Sequence, residues 1–418
     1  MPTEFESVPE RLRTDFDIFD ESMAQPVDRV QDILAEMAKK SPIHFSSKYG
    51  GHWVVLGYEE VHQVMRDPYT FSSYPNNLVP HGAGKFLPLE LDPPEHTLYR
   101  HALQPLFNPK RMAALEPNIR RIVNELIDGF AGRGEAEFVS EFAHELPARV
   151  FLALMDWPLE DADFFTHATD VTLHGVPGGT EEESHAARMQ AGVDMFTYYS
   201  KVVADRRARG PEADDITSQI VHQTIGTGDE ERALTDEELA NMFFLLCIAG
   251  LHTVQGTLGW SMMHLSENPD ERKKLVEDPS LIPAAVEEML RMEGAVSAGR
   301  RATKDTEIGG IPIQEGDRVL VVLSAANRDD SEFDAPDVVR ITREPNRHLS
   351  FGAGPHRCLG SHLARVEIRI ALEELHRRIP DYRIDPSKPS VFNAGQVRGV
   401  VTLPVLFTPE QVPAGASA

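Results

Sequence analysis

Phe351-Gly-Ala-Gly354-Pro-His356-Arg-Cys358-Leu-Gly360 is a glycine-rich loop that runs directly into a helical pattern, Gly360 to Arg378. A cysteine at a helix N-terminus sits in positive potential, which favours the thiolate, and a thiolate is a metal ligand. Glycines on both sides let the backbone pass close to a flat cofactor and turn its amides toward the sulfur. The same residues also suit a buried structural cysteine, the commonest fate of a lone thiol. The loop alone leaves both readings open.

Other clusters stand upstream of the loop. In Glu288-Met-Leu-Arg291 the spacing puts a carboxylate and a guanidinium on one helix face, although most such pairs are solvated and worth little. His96-Thr-Leu-Tyr-Arg100, behind Asp92-Pro-Pro-Glu95, sets cationic donors one helical turn apart, as an ordinary solvated face also does. Ala249-Gly250-Leu251-His252-Thr253 lies in a long apolar helix. A glycine there costs roughly 1 kcal/mol against alanine; it suits either a local opening of the helix or close packing against another.

Leu234-Thr235-Asp236-Glu237-Glu238 carries a capping signal, Thr235 as N-cap with Glu238 three residues on, and opens that long helix. The helix is expected to reach about Ser266 and stop at Asn268-Pro269. Helical periodicity dominates from about 95 to 300, with Glu95–Phe107 and Met112–Gly129 as clear cases and Gly175–Glu183 as a polar connection. His52 to Gly57 reads as a strand and Tyr58–Arg66 as a short helix; Thr306–Leu323 gives short β runs, and Pro-punctuated strands close the chain. The irregular stretch Phe71–Pro94 is long enough to suggest a functional segment. The expected organisation is a loosely ordered acidic lead-in over 1–25, one domain over 26–410 and a tail over 411–418. The expected fold class is mainly α with a minor β part.

Composition narrows the function. The chain has 418 residues, 41 basic against 66 acidic, for a formal net charge of −25. That disfavours a nucleic-acid partner, which selects a basic face. Cys247 and Cys358 cannot make a disulfide framework, so a reducing cytoplasm is the expected compartment. Met1-Pro-Thr-Glu-Phe-Glu has no secretory pattern, and the apolar run Met242–Leu251 is about half of a membrane span, so no membrane association is expected.

Taken together, the Cys358 loop, Glu288/Arg291, His96/Arg100 and the Gly250–Thr253 helix stand in the order of one family. The chain resembles a soluble bacterial cytochrome P450, a haem-thiolate monooxygenase, over nearly its whole length. The loop matches that family's Phe-x-x-Gly-x-x-x-Cys-x-Gly pattern without a gap. The resemblance implies haem b lying between a long distal helix and the Cys loop with its helix. It makes Cys358 the axial iron ligand, with Phe351, Gly354 and Gly360 around it. His96, Arg100, Arg300 and His356 are then the partners of the haem propionates. Glu288, Arg291 and Arg343 are implied to form an internal ion trio that holds the chain near the loop.

Thr253 matches the alcohol beside the oxygen site, where it would hold a water and help protonate bound dioxygen. Most relatives carry an acid immediately before it and this chain has His252, which either shuttles protons or faces away to pair with a neighbour. Phe86, Leu245, Ile248, Ala249, Val296 and Val397 are expected as pocket walls, and their apolar character points to an apolar substrate. The C-terminal portion, including Gly299-Arg300, Gly316-Asp317 and Gly395-Gln-Val-Arg-Gly399, resembles members that oxidise terpenoids and other small cyclic compounds. Electrons would come from NAD(P)H through a separate ferredoxin and reductase, and the protein would be a monomer. The arginines between 340 and 369 are candidates for docking an acidic partner. A peroxide-driven haem enzyme and a haem sensor or carrier without turnover are the rival classes.

Overall fold

The computed structural model describes residues 2–79, 85–226 and 228–410. The helices that position the site are α1 (Glu95–Leu103), α2 (Glu145–Met155), α3 (Ala162–His174), α4 (Glu181–Arg209), α5 (Asp236–Glu267), α6 (Ile282–Glu293) and α7 (Ser361–Arg378). The capping box forms as its residues require. The Thr235 hydroxyl accepts the Glu238 N–H at 3.2 Å, and the Glu238 carboxylate accepts the Thr235 N–H at 2.8 Å. Once started, α5 runs unbroken to Glu267.

By length and composition α5 would suffice to cross a bilayer, but most of its apolar window is buried inside the protein. Its two halves serve two different cores. Leu239 to Leu251 pack with residues of α1 to α4, whereas Val254 to Leu265 pack with α6, α7 and residues 119–150. The change of partner falls at His252-Thr253. The second half is pinned by backbone contact: a Cβ on Gly256 would lie 2.9 Å from the Arg398 carbonyl oxygen. Gly250 is different, since a Cβ there would meet only Phe151 at 3.6 Å. The helix is unbroken at Gly250, and the contact with Phe151 of α2 is the helix packing expected there, at a distance that does not require glycine.

The β part centres on a sheet of β1 (Arg13–Thr14), β2 (Ile43–Ser46), β3 (His52–Val55), β4 (Phe71–Ser72), β5 (Ser297–Ala302) and β6 (Arg318–Val322), in the order β1-β2-β3-β6-β5-β4. β6 lies parallel to β3 and antiparallel to β5. A hairpin of β7 (Val391–Asn393) and β8 (Gly399–Thr402) lies along α5.

The lead-in corrects the expectation of loose order. β1 pairs parallel with β2, Leu12, Phe16 and Ile18 are buried, and the Thr3 hydroxyl donates to Asp317 at 2.7 Å. Its apolar residues are too widely spaced to show a period, yet Val8, Leu12, Phe16, Ile18 and Met23 are buried in the cores beside the sheet, and Phe19 stays exposed. The expected tail, 411–418, lies outside the described residues.

Candidate active site

The Cys358 loop is folded on itself and on the helix Tyr58–Arg66. The Cys358 N–H donates to the Phe351 carbonyl at 2.8 Å, and Gly352 N–H to Leu349 at 2.7 Å. Gly354 has φ +69°, and a Cβ there would stand 2.6 Å from the Met65 carbonyl oxygen, so this glycine answers to the protein's own backbone. Gly360 does not: its φ is −82°, and a Cβ would meet nothing within 4 Å. The Arg365 guanidinium lies over the Phe351 ring at 4.4 Å.

Cys358 opens onto a cavity of about 440 Å³, lined also by His96, Arg100, Phe107, Gly354 and Arg357. Enclosure by protein raises the thiol above its ordinary pKa. The Gly360 N–H, then Arg100, Arg357 and Arg365, oppose that shift without cancelling it. The helix terminus therefore acts on the thiol in the expected direction, but burial is the larger effect here.

Cationic and imidazole groups gather beside the loop, His96 and Arg100 at the cavity wall and His356 and Arg300 behind them. The His96 and His356 rings stand 4.0 Å apart, and His96 Nδ1 and His356 Nε2 are buried without a hydrogen-bond partner. Burial, aided by Arg100, holds His96 at about 4; burial, aided by Arg300, His96 and Arg100, holds His356 at about 2. Arg300, 3 % exposed, is lowered to about 10 by burial against the opposing pull of Asp92. Its Nη1 donates to the Gly299 carbonyl at 2.6 Å, and Arg100 Nη2 donates to the Arg357 carbonyl at 2.9 Å. Neighbouring positive groups that depress one another mark a place suited to anions.

On the distal side, Leu245, Ile248 and Thr253 are only partly buried and Ala249 is exposed, in a helix whose other faces are covered. The Thr253 hydroxyl donates to the Ala249 carbonyl at 2.9 Å. Phe86 stacks on Phe244 at 5.6 Å, and Phe244 on Phe196 of α4 at 5.5 Å. Val296 and Val397 meet in an isolated antiparallel bridge.

The family model "Cytochrome P450" matches residues 180–379. The "Probable cytochrome P450 127A1" of Sinorhizobium fredii is 36 % identical over 84 % of this chain and 82 % of its own length. Crystal structures of CYP101J2 and CYP101C1 each superpose with a TM-score of 0.85, at 30 % and 31 % identity. They cover 98 % and 96 % of this chain, and 100 % and 98 % of their own. The chain belongs to the cytochrome P450 family.

It is therefore a monooxygenase, and haem held by a cysteine thiolate, with O2 as co-substrate, is the cofactor of its family. The residues of this P450 fit that group. Cys358 is a thiol open to the cavity, Gly360 leaves space that a Cβ would fill, and orphaned imidazole nitrogens face a cluster short of anions. Two propionate carboxylates would supply the missing charge.

The structure brings the expected ion trio together, with Glu288 and Arg291 fully enclosed and Arg343 closing it from the edge. Glu288 takes Arg291 Nε at 2.8 Å and Nη2 at 2.9 Å, while Arg343 Nε reaches both carboxylate oxygens at 3.1 Å. Arg291 also donates to the Asn327 carbonyl at 2.9 Å; the Asn327 side chain in turn takes the Leu349 N–H and donates to Ser350, each at 2.7 Å. That chain of bonds leads from α6 to the start of the Cys loop.

The arginines expected to form a docking face are mostly paired with carboxylates, although Arg340 and Arg347 keep much of their side chains in solvent and Arg357 is exposed. Arg343 pairs with Glu288, Arg347 with Glu332, Arg365 with Glu287, Arg340 with Asp334 and Arg369 with Glu116. Carboxylates from outside the 340–369 segment, Glu116, Glu287, Glu288, Glu332 and Asp334, therefore offset part of its positive charge.

His252 turns to α3. Its Nε2 lies 3.4 Å from Asp170, and its ring stands edge-on to His174 at 5.5 Å. Asp170 also takes His144 Nε2 at 3.0 Å. Asp170, His144 and His174, like Phe196 and Phe244, carried no signal in the sequence, because each gains its place only through contacts between helices.

Proposed function

We propose that this cytochrome P450 inserts one oxygen atom of O2 into a small apolar organic molecule, with a lean to cyclic compounds such as terpenoids. The observation that carries the reading is the uncovered apolar face of α5, Leu245, Ile248 and Ala249 beside Thr253, with the Phe86–Phe244–Phe196 stack close by. Apolar walls bind by removing apolar surface from water and leave few polar anchors. Val296 and Val397 belong to the same lining.

In this reading Cys358 is the axial ligand, and His96, Arg100, Arg300 and His356 receive the propionates. Phe351, Gly354 and Gly360 shape the loop. Haem, when bound, supplies the iron at which dioxygen is activated. Thr253 gives its proton to the Ala249 carbonyl, which leaves the hydroxyl oxygen free to accept a hydrogen bond from a water. His252 is the titratable group beside it. Electrons come from NAD(P)H through a separate ferredoxin and reductase, and the protein works in the cytoplasm as a monomer.

The test is the absorption spectrum of the ferric, haem-loaded protein during titration with terpenes, aromatic acids and steroids. A low- to high-spin conversion with cyclic hydrocarbons is expected. A spectrum that shows a nitrogen ligand and does not shift would overturn the roles given to Thr253 and His252. Turnover with peroxide alone, and none with a ferredoxin system, would replace the O2-dependent reading with a peroxide-driven one.

A further inference from the structure

Monooxygenation consumes protons: substrate, O2, two electrons and two protons give the hydroxylated product and water. Those protons must reach a chamber whose α5 wall is apolar. Between Met242 and Leu258 the titratable side chains of α5 are Cys247 and His252. Cys247 is fully buried and held at about 12 by burial. His252 remains, next to Thr253, and its surroundings are themselves titratable.

Asp170 of α3 is the hub of that cluster. His144, just before α2, approaches one carboxylate oxygen at 3.0 Å; His252 of α5 approaches the other at 3.4 Å. His174, one turn further along α3, faces the His252 ring, and Asn393 of β7 lies 3.4 Å from His174 Nδ1. Arg188 of α4 is the remaining charge that acts on His174. The Asp170 side chain is 40 % exposed and that of His252 only 5 %, so the pair bridges solvent and interior. His252 Nε2 is buried and lacks an aligned hydrogen bond, a contact of the loose kind that tightens during reaction. The cluster lacks the arrangement of a metal site.

We propose that Asp170, flanked by His144 and His174, is the proton-collecting end of a path that enters the active site through His252. Asp170 takes a proton from bulk water and passes it to His252 Nε2. The imidazolium then releases its Nδ1 proton to water beside Thr253, which restores the carboxylate and a neutral ring, and the ring turns over to free Nε2 for the second proton, so no charge accumulates. Burial, opposed by Asp170, lowers His252 to about 4 and keeps the ring neutral between transfers. Asp170 is a positioning residue in this scheme, and the inference rests on the roles proposed above for Thr253 and His252.

The haem-loaded wild type, Asp170→Asn and Asp170→Glu are compared in two ways. In the carbon monoxide-bound ferrous protein, imidazole NMR titration of His252 should move to lower pH in Asp170→Asn and return in Asp170→Glu. With a surrogate ferredoxin and reductase, and the panel compound that raises the spin state, NADH-driven product formation in Asp170→Asn should fall about tenfold or more. Its pH profile should change and its solvent isotope effect should rise, with recovery in Asp170→Glu. A structural clamp alone would move none of these last readouts. A variant that matches a productive wild type in rate, pH profile and isotope effect overturns the relay and leaves the monooxygenase reading intact. A wild type that forms no product with any panel compound overturns the substrate reading and the relay with it. If Asp170→Asn loses haem, His252→Gln carries the test, and an unchanged isotope effect there overturns the relay.

Discussion

Arg300 shows how a single side chain can be tuned for an absent counter-charge. It is buried, bonded through Nη1 to a carbonyl, and its pKa is depressed by burial. Arg300→Leu should weaken haem retention by about 1.5–3 kcal/mol, the worth of a charged hydrogen bond, which is about tenfold or more in affinity; haem transfer to a scavenger protein would measure it. His252→Asp would set a second carboxylate against Asp170. Haem binding should persist, while product formed per reducing equivalent changes; equal coupling in both proteins would remove His252 from the mechanism. Glu367 of α7 is a different case, fully buried with Oε2 unpartnered and its pKa raised well above the usual carboxylate range by burial. A raised carboxylate pKa favours the fold at low pH and loses that contribution as pH rises above the unfolded value. Glu367→Gln should therefore raise Tm at pH 8 more than at pH 4, and the reverse ordering would show that the carboxyl is ionised in the fold.

Elements differ in how strictly packing constrains them. Along α5, Gly256→Ala would drive a Cβ into the Arg398 carbonyl and should cost about 1–3 kcal/mol. Gly250→Ala meets open contact distance at Phe151 and should stabilise by up to about 1 kcal/mol. Thermal melts of the two variants should move in opposite directions. The capping box of α5 and the start of Tyr58–Arg66 were legible because the interactions that set them span a few residues. Elsewhere prolines cut what periodicity had joined: Glu95–Phe107 tightens after Leu103 near Pro105, and Met112–Gly129 divides into Pro109–Ala114 and Glu116–Asp128. The polar connection expected to reach Glu183 ends at Thr180, which caps α4 with Glu183 in a second capping box.

Across the whole molecule, acid is the expected weakness. Burial holds His52 and His376, both remote from the Cys loop, at about 4. A histidine pKa lowered on folding adds stability above its unfolded value, about 6.5, and loses it as pH falls toward the folded value. Glu287 and Glu293, lowered to about 2 by Arg365 and Arg328 with their histidine partners, lose their contribution further down, below the unfolded carboxylate value of about 4.3. Tm should therefore begin to fall between pH 7 and pH 5, before carboxylates protonate. A flat Tm over that interval would mean that these histidines are not held neutral by the fold.

The sequence by itself determined the chemistry that short-range order carries: the Cys358 loop before its helix, the capped α5 with Thr253 upon it, and the Glu288–Arg291 pair. In each, the interacting residues lie within a helical turn or a single loop, so spacing along the chain is spacing in space. The tertiary structure alone decided that Arg343, Arg365 and Arg369 pair with carboxylates on other helices, that the lead-in joins the sheet, and that Asp170 stands beside His252. Those pairings join residues on separate elements. Their distances depend on how helices and strands pack, a property of the assembled core and not of any local stretch of chain.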